Sequence, residues 1–220
     1  MTDDNLTAIL EKLTATLVAN LEPVDPRRIM RRYIRGIVAG ALGALLLTGG
    51  VLHLSPALSQ EVSLPAFWVR ELYCAALGAL AVLAVTRLGR PGGRLGLLPA
   101  SIAALVFIMW ILAAATLISA ARQNRLHLLL GATYAVCPFL ITFVSAPLFV
   151  SFVWILKDLA PTRLRWAGAG AGFAAGTIGA LVYTLHCPEL TTPFISIWYL
   201  LGMLIPAAIG ACLGPWLLHW

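Results

Sequence analysis

Apolar residues run through this chain in long, nearly unbroken blocks, unlike the one-faced or alternating patterns of a soluble domain. With charged residues and Pro/Gly-rich joints taken as borders, six blocks are long enough to cross a bilayer: residues 34–54, 66–87, 97–121, 128–156, 164–185 and 194–219. Each approaches the roughly 20 residues of helix needed for about 30 Å of hydrocarbon. The expected fold is therefore all-α, a six-helix transmembrane bundle. Gly36 and Gly40 in the first block, and Gly168, Gly172 and Gly176 in the fifth, recur at the four-residue interval that lets helix backbones approach closely. Packing inside one bundle is the plainer use of that spacing, and a homo-oligomer stays open.

Ahead of the first block the pattern changes. Residues 1–33 alone have soluble composition, and Leu6, Leu10, Leu13, Leu17 and Leu21 recur at intervals of three and four, forming one stripe of an amphipathic helix. Asp3, Asp4 or Asn5 can cap its first turn, and Pro23 stops it, so that Pro23 and Val24 lead into an extended link. So short a helix with a single apolar stripe is marginal in water and needs a surface to lie on. A membrane surface is a poor match, because Lys12 is the helix's only basic residue beside Asp3, Asp4 and Glu11. The groove of a cytoplasmic protein fits better. The chain thus divides into a partner-binding tail, 1–33, and a transmembrane domain, 34–220.

Composition agrees. Of 220 residues, 60% are hydrophobic and only 11% charged, where a soluble domain carries about a quarter. The start MTDDNLTAILEKL is acidic and mixed, unlike a secretory signal, and no cleavage is expected. A formal net charge of +6 would point a soluble protein toward nucleic acid, but here the basic residues sit between the blocks, so no direct nucleic-acid contact is expected. Lys12, Arg27, Arg28, Arg31, Arg32 and Arg35 precede or open the first; Arg87, Arg90 and Arg94 follow the second; Lys157, Arg163 and Arg165 follow the fourth. The positive-inside rule makes those regions cytoplasmic, with both termini on that side. The outer joints, SPALSQEVSLP, RQNRLH and HCPELTTP, are too short for a folded outer domain.

The search for chemistry excludes more than it finds. GxSxG, HExxH, GxxxxGK[ST] and paired intramembrane carboxylates are missing, and no enzyme is expected. Arg70 and Glu71 are the main ionisable pair within a block; Arg70 can snorkel outward or pair with a neighbour, a structural role ahead of ion conduction. Pro138, Pro147 and Pro206 could kink their spans, but no inverted repeat accompanies them, which leaves a small six-span transporter or channel as the alternative class.

Four cysteines lack CxxC or zinc-type spacing. Counting about 20 residues from the inner borders at Lys157 and Arg165 puts Cys137 and Cys187 at the same outer depth, with Cys74 roughly 10 Å deeper and Cys212 toward the cytoplasm, neither within easy reach of the pair. A fourth span beginning at residue 128 would instead bring Cys137 nearer the midplane. Flanked by His186 and Glu189, and with His53 and His127 on the same side, the two thiols could close a disulfide or take a transient soft metal ion. No resident cofactor is called for. Equally, cysteines in membranes serve as small apolar fillers, and Pro188 in LHCPEL could simply end a span. The residues alone leave both readings open.

The order of these features resembles the NrsF-type integral-membrane anti-sigma factors. A leucine-striped first helix runs into LEPV; YAVCPFLITFVSAPL follows in span four, LAPTRLRWAGAGAGFAAGTIGALVYTLHCPE across span five, and WYLLGMLIPAAIGACLGPWLLHW at the end. Where family members often carry a basic residue before the last Trp, His219 stands here. The resemblance implies a bacterial inner-membrane regulator that holds an extracytoplasmic-function sigma factor through the tail around Leu6, Leu10, Leu13, Leu17, Leu21, Pro23 and Val24. It also implies that Cys137 and Cys187 match an outer cysteine pair sensing oxidants or heavy metals.

Overall fold

The computed structural model describes residues 3–19, 26–90, 92–159 and 161–219, and the chain falls into two compact units, 1–33 and 34–220. In the first, helix α1 spans Asp3–Ala19. Leu10 and Leu13 of the expected stripe are exposed at 53% and 54%, and Ile9 beside them equally so. Leu6 and Leu17 lie on the same helix; Leu21, Pro23 and Val24 lie outside the described residues.

Helix α2, Pro26–Leu47, continues as a π-helical turn, Thr48–Leu52. There follow a short α3 (Leu58–Glu61), α4 (Pro65–Leu88), α5 (Leu98–Ser119), a short α6 (Arg125–Leu130), α7 (Cys137–Lys157), α8 (Leu164–Tyr183), a single turn α9 (Thr192–Phe194), a π-helical turn Ile195–Tyr199 and α10 (Leu200–Leu217). Among the described residues there is no strand. Pro65, Pro99, Pro138 and Pro193 each occupy one of the first two positions of a helix, where the missing N–H has no partner to lose. Pro147, Pro206 and Pro215 lie inside helices.

One expectation needs correction. The block 128–156 is not one helix: α6 ends at Gly131, whose φ of 57° suits glycine, and α7 begins only at Cys137. Pro138 therefore starts a helix instead of kinking one. Among the described residues five helical segments, not clearly six, are long and apolar enough to cross a membrane: Met30–Leu52, Pro65–Leu88, Leu98–Ser119, Cys137–Lys157 and Thr192–Leu217. The fifth expected block folds as α8, where glycine and alanine stand in place of the leucines of the other helices, and it is not among those five.

Burial explains that composition. Helix α8 packs against α4, α7 and α10, and Ala167, Gly168, Ala171, Gly172, Ala174, Ala175, Gly176, Gly179 and Ala180 are all buried. A Cβ on Gly172 would collide with the carbonyl oxygen of Pro206, and one on Gly168 with that of Gly210; on Gly176 it would lie 2.8 Å from the carbonyl of Met203. The four-residue glycine repeat is thus filled by α10 of the same chain. Gly40 does the same for α2 and α7, its Cβ position lying 2.9 Å from the Leu148 Cα.

Candidate thiol site

Helix α8 ends in a turn that carries the chain past Tyr183: the His186 and Cys187 N–H groups both donate to the Tyr183 carbonyl, at 3.0 and 3.1 Å. Pro188, with no N–H to offer, prevents further winding. Cys187 is thereby held just beyond the helix, facing inward. Cys137 opens α7, its N–H donating to the Thr133 carbonyl at 2.9 Å. Both cysteines are 0% exposed and share one buried cluster with Tyr73, Cys74, Ile141, Tyr183, Phe194 and Tyr199.

The two thiols meet. Cys137 and Cys187 lie side by side in this cluster, close enough for each to change the other's ionisation, and all four cysteines are free. The Cys187 thiol is drawn below its ordinary range: the neighbouring Cys137 contributes most, and the Glu189 N–H and the Arg70 charge add to it, outweighing the opposing effect of burial. Thr133 Oγ1 lies 4.0 Å from the same sulfur. Cys187 is accordingly the first of the pair to ionise. In a chain with Cys74 and Cys212 replaced by alanine, ultraviolet thiolate absorbance should show the first ionisation below the ~8.5 of a free cysteine. Cys137→Ala should move it upward; an unmoved titration would remove Cys137 as the cause.

Arg70 builds the frame. It comes from α4, is 0% exposed, and donates from Nη1 to the carbonyls of Cys187 (2.7 Å) and Glu189 (3.0 Å) and from Nη2 to that of Thr184 (3.0 Å). Those oxygens belong to the end of α8 and the segment beyond it, where no further helical N–H is available to them. Glu71 lies 3.6 Å from Nε, Glu61 lies 4.0 Å from Nη2, and the guanidinium sits 5.3 Å from the Phe67 ring centre. The outward snorkelling allowed by the sequence does not occur, because the carbonyls and carboxylates satisfy the charge inside.

A strap from the 53–61 segment closes over this end. The Ser55 N–H donates to the Leu185 carbonyl at 2.9 Å, the Ser55 hydroxyl to Glu61 Oε1 at 3.1 Å, and His186 Nδ1 to the His53 carbonyl at 2.8 Å. On the other side Glu189 Oε1 accepts the Ala132 N–H at 2.7 Å. His186 and Glu189, the candidate co-ligands, are thus engaged in holding loops together. Among the described residues no three His, Cys, Asp or Glu side chains converge as a metal site would need. Cys74, expected well below the pair, belongs to their cluster, whereas Cys212 is exposed on α10. Sequence reasoning passed over Tyr183 and the Ser55–Glu61 strap; only the charged pair Arg70 and Glu71 in an apolar run pointed toward the frame.

Against known proteins, the NrsF family model, described as negative regulator of sigma F, matches residues 17–220. The chain belongs to the NrsF family. A "Probable anti-sigma-F factor NrsF" of Azospira oryzae is 45% identical over 210 residues, covering 96% of this chain and 99% of that protein. The "Anti-sigma-F factor NrsF" of Caulobacter vibrioides is 38% identical, covering 100% of this chain and 99% of its own length. No solved structure matches the chain. The NrsF family match takes in both cysteines and Arg70, and it begins after Leu6, Leu10 and Leu13.

Proposed function

We propose that this NrsF-family chain is a membrane-embedded anti-sigma factor of the bacterial inner membrane. It crosses the bilayer six times, with α8 as the sixth span, and both termini face the cytoplasm. A helix whose faces meet other helices does not need the apolarity of one that meets lipid, which supports counting α8. The tail holds an extracytoplasmic-function sigma factor through the stripe of Leu6, Leu10, Leu13, Leu17 and Leu21, with Pro23 and Val24 completing the contact. The names of the two relatives support the anti-sigma role, and the exposed Leu10 and Leu13 support the contact face.

The observation that carries the sensing half is the burial of two free thiols, Cys137 and Cys187, in one cluster, one at the start of α7 and the other just past the end of α8. An oxidant such as a peroxide takes two electrons and two protons from the pair, leaves an S–S bond and is itself reduced to water. A soft heavy metal acts on the same sulfurs by displacing their protons. Either event changes how α7 and α8 meet, and a coupling of about 1–3 kcal/mol to the tail would change sigma affinity roughly 5- to 150-fold.

The test is co-purification from membranes with the full chain as bait. A sigma factor should be retained, lost when Leu10, Leu13 and Leu17 are all alanine, and released by oxidant. The Cys137→Ser/Cys187→Ser chain should keep the sigma factor and ignore the oxidant. Retention of no sigma factor would overturn the anti-sigma reading; full release from the double serine chain would remove the thiols from the mechanism.

A further inference from the structure

At the end of α8 remote from Cys187, the loop joining α4 to α5 and the first turn of α8 enclose a cleft of about 690 Å³. Three arginines are among the residues that line it, Arg90, Arg94 and Arg163, beside Leu88, Leu95 and Trp166. The three arginines are exposed, and no carboxylate among the described residues pairs with any of them. Three like charges lining one cleft without a counter-charge give it a positive field that attracts anions.

The loop that carries two of these arginines is held in shape. Arg87 Nη1 donates to the Leu95 carbonyl at 2.9 Å, and the Gly93 N–H to the Arg90 carbonyl at 3.0 Å. Gly92 and Gly96 have φ of 72° and 57°, and a Cβ on Gly93 would collide with the Arg87 carbonyl. Arg87 is therefore a strut that ties the end of α4 to Leu95, beside Arg94. The neighbouring wall is apolar: Trp166 is 63% exposed and Leu97, next to the cleft, 80%.

We propose that this cleft binds the phosphate headgroup of an anionic phospholipid, with the acyl chains running along Leu88, Leu95 and Trp166. Guanidinium groups match phosphate oxygens in geometry and charge. The apolar wall distinguishes a lipid from a free phosphate, which would leave that wall unused. The cleft also lies at the ends of three helices, where hydrocarbon gives way to headgroups. The proposal rests on the membrane reading of α4, α5 and α8 and needs no sigma factor.

The test is native mass spectrometry of the purified full chain in mild detergent, titrated with cardiolipin and, as reference, with phosphatidylcholine. Cardiolipin should be retained and phosphatidylcholine should not. Each of Arg90→Gln, Arg94→Gln and Arg163→Gln should weaken retention about fivefold, about 1 kcal/mol per charge, and the triple variant about 100-fold, with thermal unfolding unchanged. Arg122→Gln, remote from the cleft, should retain lipid as the parent does. Equal retention by parent and triple variant would overturn the proposal. So would displacement of cardiolipin by inorganic phosphate, or protection of these arginines only by an acidic protein segment. A chain that retains cardiolipin yet binds no sigma factor would sink the anti-sigma reading alone.

Discussion

Replacing Arg70 by methionine should destabilise the 34–220 unit by about 3–5 kcal/mol, the usual consequence of removing one partner from a buried charged group. The side chain volume is nearly kept, so the effect is electrostatic. Three carbonyl oxygens, those of Thr184, Cys187 and Glu189, lose their donor at once, and Glu61 and Glu71 lose the cation between them. Each buried acceptor left unmade costs about 1–3 kcal/mol by itself. Arg70→Lys should fall between, since an ammonium restores the charge without the planar fork that reaches three oxygens. Denaturant unfolding in micelles measures the series, and alkylation of Cys187 reads the local effect: the segment released from Arg70 should expose a thiol that is 0% exposed in the parent. Unchanged unfolding and unchanged alkylation in Arg70→Met would show that the latch contributes nothing.

Gly172→Ala should be the most damaging single methyl group on the glycine seam, at about 3 kcal/mol or more, the upper end of the overpacking range. What it strikes is the Pro206 carbonyl, a backbone atom that no rotamer change can move aside. Gly168→Ala should behave alike against Gly210. Gly78→Ala is the informative contrast: its nearest neighbour would be the Ile178 side chain at 3.7 Å, ordinary contact distance. There the alanine should be neutral or stabilise by up to about 1 kcal/mol through helix propensity. Thermal unfolding of the three variants in one detergent decides the matter. Equal behaviour of Gly172→Ala and Gly78→Ala would mean that α8 and α10 do not meet as described.

What could be read from the sequence followed from how local its signal is. Long apolar blocks announce helices, and five of the six blocks reappear as helices both long and apolar enough to span. The sixth is harder because its helix, α8, carries glycine and alanine for close contact with its neighbours and falls outside those five. The similar height of Cys137 and Cys187 could be anticipated by counting from charged borders, but not that the two share one cluster. The fate of Cys74 could not: a count along one helix fixes height and says nothing of tilt or of which face turns inward. Arg70 shows the same limit. Its charge was visible in the sequence, but its three acceptors lie more than a hundred residues away, and only packing brings them within reach. The break at Gly131 had a local signal in glycine and was masked by the leucines of RLHLLL on its amino-terminal side.

Where α8 meets α10, backbone touches backbone through Gly168, Gly172 and Gly210, leaving neither helix freedom to roll or slide along the other. For spectroscopy the two form a fiducial. Labels placed at the outward-facing Trp166 and Trp216, 63% and 85% exposed, would bracket that contact, and the travel of any third helix could be measured against it.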